Sequence, residues 1–215
     1  MLYRMAIEMK RCVIVGGADI NNFDAVCRKI SKDDYFIFCD GGLRHREELG
    51  VAPNLIVGDF DSYENPNLSV ETIVLPCEKD DTDTFFAAKE AVKRGFDDFV
   101  LIGTVGGRLD HTLGNVSVLL YLFSLGKTAE MIDDFSEMQI VSNETVFVDS
   151  SYSYFSLLNI TGEADKITEK NVKFPLENAK INCEYQYGIS NEPLPGKTAE
   201  ITVKKGKALL IKIRR

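Results

Sequence analysis

The stretch RCVIVGG at residues 11–17, followed by INNFDAVCRKI at 20–30 and YFIFCDGG at 35–42, decides the fold. The first and third segments are short runs of β-branched and aromatic residues that end at paired glycines. The segment between them has apolar residues at helical spacing. A strand, a helix and a second strand in this order are typical of a parallel sheet with helical crossovers, so the sequence predicts an open α/β sheet.

Three more apolar runs continue this pattern: NLIV at 54–57, TIVL at 72–75 and DFVLI at 98–102. Each is followed by glycine or proline, which end strands. Helices are predicted over 82–94 (TDTFFAAKEAVKR), where Gly95 can terminate the helix, and over 111–125. The alternation of strands and helices extends the α/β domain over residues 1–130.

The pattern changes after Gly126. The runs EMQIVSNETVFV, SYSYFSLLNI and AEITVKKGKALLIKI are β-rich, are joined by Asn, Gly and Pro turns, and have almost no helical period. An antiparallel β-sandwich is therefore expected over residues 131–215. Gly206, in VKKGKALL, is expected to form the bend of a terminal hairpin.

Composition and charge exclude several classes of function. A net charge of -8 argues against nucleic acid or an anionic membrane as the main partner, because both need clustered Lys and Arg. The five cysteines lie far apart and form no C-x-x-C pair, so they are expected to be reduced core residues. No apolar run could span a bilayer and the N-terminal residues lack a secretory h-region, which predicts a cytoplasmic location.

Two acidic clusters follow apolar runs: VGDFDS at 57–62 and EKDDTDTF at 78–85. If the first run stays extended, Asp59 and Asp61 point the same way. Asp80 and Asp83 are three residues apart at a helix start and can share one side. Taken alone, the first pair could be a turn and the second could cap a helix.

Together the two clusters indicate a metal site. They lie at the ends of runs expected to be adjacent strands, on the edge where open α/β sheets bind ligands. Magnesium takes carboxylate and water oxygens and leaves positions for phosphates. It would also remove the repulsion among the aspartates and let an acidic protein hold a polyphosphate, so the expected ligand is a nucleotide.

Glycine-rich segments suggest where the phosphates bind. Neither a P-loop nor a G-x-G-x-x-G motif occurs. In GTVGGRLDHTLGN at 103–115, Gly106 and Gly107 allow close backbone approach before a helix. Arg108 can bind phosphate oxygens or pair with Asp110, and His111 can contact substrate or serve as a cap.

A further segment, CDGG at 39–42, can contact a nucleotide or simply form a turn. In the first case Asp40 would bind a ribose or a substrate amine. Both readings stay open at this point.

The motifs CDGG, PNLIVGDFDS, EKDDTDTFFA and GTVGGRLDHTLGNVSVL together resemble those of the thiamine pyrophosphokinase (thiamin diphosphokinase) family over about residues 12–120. NVKFPLENA at 171–179 and YGISNE at 187–192 extend the resemblance to the C-terminal part. It implies transfer of the pyrophosphoryl group of ATP to the hydroxyl of thiamine, giving thiamine diphosphate and AMP. It also implies a homodimer whose active sites combine the α/β domain of one subunit with the sandwich of the other.

The residue patterns and the resemblance together give expected roles for individual residues. Magnesium and the ATP phosphates are expected at Asp59, Asp61, Asp80 and Asp83, which together with Arg108 form the catalytic group. Nucleotide contacts are expected from Asp40, Gly41, Gly42, Thr82, Gly106, Gly107 and Arg108. Contacts with thiamine are expected from Asp110, His111, Asn115, Ser190 and Asn191.

One departure from the family concerns the thiamine pocket. Some members stack thiamine on a tryptophan near the C-terminus, and this chain has no Trp. A Tyr, a Phe or an aliphatic surface is expected to serve instead.

Three alternatives share some of these features. The chain could pyrophosphorylate another hydroxymethyl heterocycle, such as a pterin, because the ATP-metal half would look alike. It could be a non-catalytic magnesium-nucleotide sensor. Alternatively, the acids could be helix caps and the sandwich a partner-binding module.

Overall fold

The computed structural model describes residues 11–60, 68–78 and 80–214. The chain divides into two compact units between Asp134 and Phe135. The strands of the first unit are β1 (Arg11–Val15), β2 (Tyr35–Cys39), β3 (Leu55–Gly58), β4 (Glu71–Val74), β5 (Asp98–Ile102) and β6 (Thr128–Ile132). Its α-helices are α1 (Phe23–Cys27), α2 (Arg46–Leu49), α3 (Asp83–Lys93) and α4 (Leu109–Ser124), and a 3-10 helix spans Asp40–His45.

The strands of the first unit pair in the order β4-β3-β2-β1-β5-β6, and every pairing is parallel. Both faces of this sheet are covered. Val13 and Val15 pack with Phe36 and Phe38 in one core, and Ile14, on the opposite face, is also fully buried. Strands buried on both faces read as continuous apolar runs, which is why the sequence identified them. The predicted parallel α/β sheet is confirmed.

Strand order reverses at the junction of β1 and β5. The segments that follow these strands approach closely, because a Cβ atom added to Gly16 would lie 2.5 Å from the carbonyl oxygen of Gly103. Open α/β sheets bind ligands outside the carboxyl ends of the strands at such a reversal. The glycine-rich segments therefore lie at the edge where a nucleotide is expected.

The second unit is a β-sandwich. Its strands are β7 (Ser136–Val141), β8 (Glu144–Val148), β9 (Tyr154–Leu158), β10 (Glu163–Lys170), β11 (Leu176–Asn182), β12 (Ala199–Lys205) and β13 (Ala208–Ile213). They form two antiparallel arrays, β7-β13-β9 and β11-β10-β12-β8. Phe155 and Leu157 from the first array and Ile167 and Ile201 from the second belong to one buried core. The predicted antiparallel sandwich is confirmed.

One expectation about a connection needs correction, and the observed boundary, between Asp134 and Phe135, differs in position from the predicted one. The predicted boundary at residue 130 falls inside β6, which pairs with β5 in parallel, Met131 opposite Leu101, and so extends the first sheet. The predicted terminal hairpin at Gly206 is wrong, because β12 and β13 belong to different arrays. Gly206, at φ 81°, turns the chain from one array to the other.

Local geometry also differs from the expectations. The extended run ends at Gly58, and Phe60 has φ 59°; Asp61, the second residue of the expected pair, lies outside the described residues. The helix expected over 20–30 is limited to α1.

All five cysteines are free, but only Cys12 and Cys39 are buried. In the described part of the chain, no helix is both long and apolar enough to cross a membrane.

Candidate active site

Three aspartates meet at the carboxyl end of the parallel sheet. Asp40 directly follows β2, Asp59 directly follows β3, and Asp83 is the first residue of α3. One carboxylate oxygen from each lies within 4.8 Å of the other two; Asp40 is buried and the other two are half-buried. A single hard cation can bind oxygens from all three at this spacing.

Gly58 brings Asp40 and Asp59 together. A Cβ atom at Gly58 would lie 2.8 Å from the Cβ of Asp40, closer than real side chains approach. Only glycine therefore allows the end of β3 to pass this close to the start of the 3-10 helix. The sharp turn at Phe60 follows immediately.

The start of α3 positions Asp83. The Oγ1 atom of Thr82 accepts a hydrogen bond from the backbone N–H of Phe85 at 3.2 Å, so Thr82 is the helix cap. Because Asp83 is in the first turn, its charge also interacts favourably with the helix dipole. Thr82 was expected to contact the nucleotide, and in the structure its hydroxyl oxygen caps the helix.

The predicted metal ligands are only partly brought together. Asp59 and Asp83 lie in the three-carboxylate group, and Asp61 lies outside the described residues. Asp80 is exposed and, among the residues that the structure describes, is not part of this group. Asp40, for which the sequence suggested a ribose contact, takes the third position. The position of CDGG directly after the neighbouring strand was the signal that could have identified it.

Arg108 and Asp110 form an exposed ion pair. The Nη2 atom of Arg108 lies 2.6 Å from Oδ2 of Asp110, and Nε donates to Oδ1 at 3.2 Å. The guanidinium lowers the pKa of Asp110 to about 2. Exposed pairs of this kind are weak, so Arg108 can exchange Asp110 for a phosphate at little cost. His111 is exposed beside them.

Other predicted residues of this edge have structural roles. Asn115 is buried, and its Nδ2 donates to the carbonyl oxygen of Thr104 at 2.8 Å, which fixes the segment after β5 to α4. A Cβ atom at Gly42 would lie 2.2 Å from the carbonyl oxygen of Val15. Position 42 must therefore be glycine for the CDGG segment to pack against the end of β1. Gly107 has open space around it, as a backbone approached by a ligand requires.

In the second unit, Ser190 occupies a strained turn. Its φ is 58°, which is uncommon for a residue other than glycine, and its N–H donates to Oγ of Ser156 at 3.1 Å. Its side chain is exposed. Backbone strain of this kind is one signal of a binding site, and the contact of Ser190 with thiamine stays a prediction.

Asn191 is buried directly after this turn. Its Nδ2 donates to Oε2 of Glu169 at 2.6 Å and to the carbonyl oxygen of Phe174 at 2.8 Å. Its Oδ1 accepts from the N–H groups of Phe174 at 3.0 Å and Glu192 at 2.9 Å. Both amide hydrogens and both lone pairs are used within the protein, so the side chain of Asn191 organises this surface. Its contact with thiamine stays a prediction.

Glu169 was not identified from the sequence. It is 1% exposed on β10, and burial raises its pKa to about 7. The two-residue period of a strand places it on the same inward face as Ile167, which would have revealed a buried carboxyl.

We expect Glu169 to make folding stability pH-dependent. Because its pKa rises from 4.5 in the unfolded chain to about 7 in the folded one, the stabilisation is fully present below pH 4.5. It is then lost as the pH rises through 7. Glu169→Gln removes this titration. As the pH rises through this window, the parent should therefore lose roughly 3 kcal/mol of unfolding free energy that Glu169→Gln keeps. Urea unfolding at several pH values measures the difference.

The matched control is Glu163→Gln, an exposed glutamate on the same strand. It breaks only an exposed pair with Lys180, so it should change the unfolding free energy far less than Glu169→Gln does across this window. Parallel curves for Glu169→Gln and the parent would show that Glu169 does not titrate in this window.

Comparisons with known proteins agree with this arrangement. The family model "Thiamin pyrophosphokinase, catalytic domain" matches residues 26–131. The model "Thiamin pyrophosphokinase, vitamin B1 binding domain" matches residues 136–208. The two matches fall in the first and second unit respectively and together cover most of the chain.

Individual relatives extend over nearly the whole length. A protein of Bacillus subtilis named thiamine pyrophosphokinase is 28% identical over 214 residues, covering 96% of this chain and 99% of the relative. A crystal structure of thiamine pyrophosphokinase from Bacillus subtilis has a TM-score of 0.85 at 25% identity, covering 95% of this chain and 99% of that one. One of thiamin pyrophosphokinase from Geobacillus thermodenitrificans has a TM-score of 0.80 at 28% identity, covering 95% and 98%.

The fold, the site and these matches define the class of the protein: it is an enzyme, a transferase of the kinase type. The chain belongs to the thiamin pyrophosphokinase family. The matches give no support to the pterin or sensor alternatives.

Proposed function

We propose that the enzyme transfers the pyrophosphoryl group of ATP to thiamine at the carboxylate group formed by Asp40, Asp59 and Asp83. The thiamine hydroxyl oxygen bonds to the β-phosphorus, the bond from this phosphorus to the oxygen bridging to the α-phosphorus breaks, and AMP departs. The hydroxyl proton is released. The observation that carries the proposal is the grouping of three carboxylates at the ligand-binding edge of a sheet whose sequence matches the family's catalytic domain.

The donor set suits Mg²⁺. Three carboxylates supply the hard oxygen ligands this ion prefers and leave positions for phosphate oxygens. When bound, the ion would neutralise charge on the phosphates during transfer. Asp40, Asp59 and Asp83 would hold it, and their own repulsion would decrease.

Side chains of this edge would orient the reactants. Arg108 would leave Asp110 to bind phosphate oxygens, and Gly106 and Gly107 would let the polyphosphate approach the backbone. Asp110, released from Arg108, and the exposed His111 are proposed to face thiamine. One carboxylate of the acidic group would accept the hydroxyl proton late in transfer, when positioning matters more than basicity.

We propose that Ser190 and Phe174 contact thiamine in the second unit. Phe174 is 59% exposed, and both of its backbone polar groups bond to the side chain of Asn191. The Nζ atom of Lys173 already lies 5.6 Å from the centre of the Phe174 ring. The thiazolium of thiamine is also a cation, so the same ring face can bind it, and Phe174 would serve in place of tryptophan.

The enzyme is further proposed to be a cytoplasmic homodimer. In that dimer the first unit of one subunit would face the sandwich of the other, as the family resemblance implies. Sedimentation equilibrium of the parent tests the oligomeric state, and a monomer that turns over at full rate contradicts it.

The test of the reaction is AMP release from ATP and magnesium, with and without thiamine. AMP and thiamine diphosphate should appear together, in equal amounts, only when thiamine is present. A hydroxymethyl pterin replacing thiamine tests the alternative acceptor. Tight ATP binding with no AMP from any alcohol would instead support the sensor.

Phe174→Ala is expected to raise the KM for thiamine by about tenfold. A cation–π contact at an exposed ring contributes on the order of 1 kcal/mol to the binding free energy, and the contact area of the stacked ring adds to that. The KM for ATP should not change. Phe174→Trp should keep thiamine binding and create a single tryptophan, whose fluorescence thiamine should quench. The control is Phe147→Ala, since Phe147 is similarly exposed, at 63%, on β8. Equal KM values for thiamine in both alanine variants would contradict the role of Phe174.

A further inference from the structure

Two glutamates are fully buried in the sandwich, and their partners differ. Glu137 bonds to cationic and hydroxyl groups. Glu169 bonds through Oε2 only to the neutral amide of Asn191, and its buried Oε1 has no hydrogen-bond partner in the part of the chain that the structure describes. A half-satisfied buried carboxyl costs stability, and an apolar residue would suit the inward face of β10 better. Glu169 is therefore poorly explained as a stabilising residue.

Asn191 connects Glu169 to the exposed surface. The segment 172–174 runs antiparallel to 191–193, with Val172 opposite Pro193 and the N–H of Lys173 bonded to the carbonyl oxygen of Glu192 at 2.9 Å. Asn191 completes this pairing with its side chain, which bonds both backbone groups of Phe174. The same residue fixes the end of the turn that holds Ser190.

We propose that Glu169 is a positioning residue for the thiamine-binding surface, acting through Asn191 to hold Ser190 and Phe174 side by side. The inference rests on the proposed function, which assigns thiamine contact to these two residues. Glu169 accepts one of the two hydrogens of the Asn191 amide. Without that acceptor, a buried N–H is left unpaired, and the amide can rotate away from the geometry that serves Phe174.

The effect should fall on substrate binding rather than on chemistry. Glu169 belongs to the second unit, whereas the carboxylates and Arg108 belong to the first. Loosening the surface therefore weakens a contact made equally in the ground state and the transition state, which raises KM with little change in kcat.

The experiment compares Glu169→Leu with Glu169→Gln in steady-state kinetics for both substrates. Glu169→Leu should fold, because it replaces a half-satisfied carboxyl with an apolar group of similar volume. It should raise the KM for thiamine about tenfold and leave the KM for ATP within about twofold, the loss expected for one hydrogen bond to a charged group. Glu169→Gln keeps an acceptor and should stay within about twofold of the parent for both substrates.

A double-mutant cycle separates positioning from a general structural role. In an Asn191→Ala background, Glu169→Leu should add nothing to the KM for thiamine, because its effect passes through Asn191. The inference is overturned by an unchanged KM in Glu169→Leu, by an equal rise for ATP and thiamine, or by full additivity with Asn191→Ala. A parent that releases no AMP with thiamine would overturn the proposed function itself, so the two failures are distinguishable.

Discussion

Asp59→Asn is expected to lower kcat for AMP release by about 10³-fold, because a metal-held polyphosphate gains several kcal/mol of charge stabilisation during transfer. The amide keeps the size of the side chain and one oxygen but removes the charge that holds the cation. Asp40→Asn should cost a similar amount, since its carboxylate lies in the same group. Both are measured as thiamine-dependent AMP release at saturating ATP.

The control is Asp80→Asn. It makes the same chemical change at an exposed residue outside the three-carboxylate group. Activity within about threefold of the parent is expected, the range of most surface substitutions. If Asp80→Asn were as inactive as Asp59→Asn while Asp40→Asn stayed active, the metal would be held by the four sequence-predicted aspartates instead.

Thermal unfolding gives a second readout that does not depend on turnover. Without a cation, the three carboxylates repel one another, so Asp59→Asn should unfold at a higher temperature than the parent in metal-free buffer. Magnesium should then raise the Tm of the parent but not that of Asp59→Asn, because only a protein that binds the ion is stabilised by it. Equal magnesium shifts in both proteins would contradict the assignment of Asp59.

The parallel sheet was predictable because its strands are buried on both faces. The run DFVLI at 98–102 coincides with β5, and the helix expected over 82–94 differs from α3 by one residue at each end. Both signals are local. The predicted boundary at residue 130 divides β6, which forms no continuous apolar run, and only its pairing with β5 places the whole strand in the first unit.

The site was predictable only in part, for a different reason. Asp59 was found because it follows an apolar run, and Asp40 has the same relation to β2. What selects Asp40 over Asp80 is the close approach at Gly58, a contact between residues distant in sequence. The partnership of Glu169 with Asn191 joins positions 22 residues apart, and no sequence pattern indicates it.

Glu137→Ala is expected to be the most destabilising of the substitutions considered, at about 3–5 kcal/mol, because it leaves the buried Lys212 and the half-buried Arg214 without their counter-ion. Glu137 is fully buried and lies directly opposite Lys212 in the pairing of β7 with β13. Its Oε2 accepts from Nζ of Lys212 at 2.9 Å and from the hydroxyl of Tyr152 at 2.8 Å, and its Oε1 pairs with Arg214.

Both cations also lie over the ring of Tyr152, Lys212 at 5.2 Å and Arg214 at 4.7 Å from its centre. The ring cannot replace the carboxylate, because a cation–π contact is worth about 1–2 kcal/mol against a desolvation cost of several kcal/mol per buried ion. Since small domains are stable by only 5–15 kcal/mol, Glu137→Ala should sharply lower the urea midpoint, monitored by circular dichroism.

The matched control is Glu163→Ala, which breaks an exposed pair with Lys180 whose N–O distance, 2.6 Å, is shorter than the 2.9 Å between Lys212 and Glu137. It should cost under about 1 kcal/mol, because water replaces the lost partner. A double variant, Glu137→Leu with Lys212→Met, should recover part of the loss by removing one uncompensated charge together with the carboxylate. If Glu137→Ala cost no more than Glu163→Ala, burial would not be what makes the cluster important, and the cations would have to reach water when the carboxylate is removed.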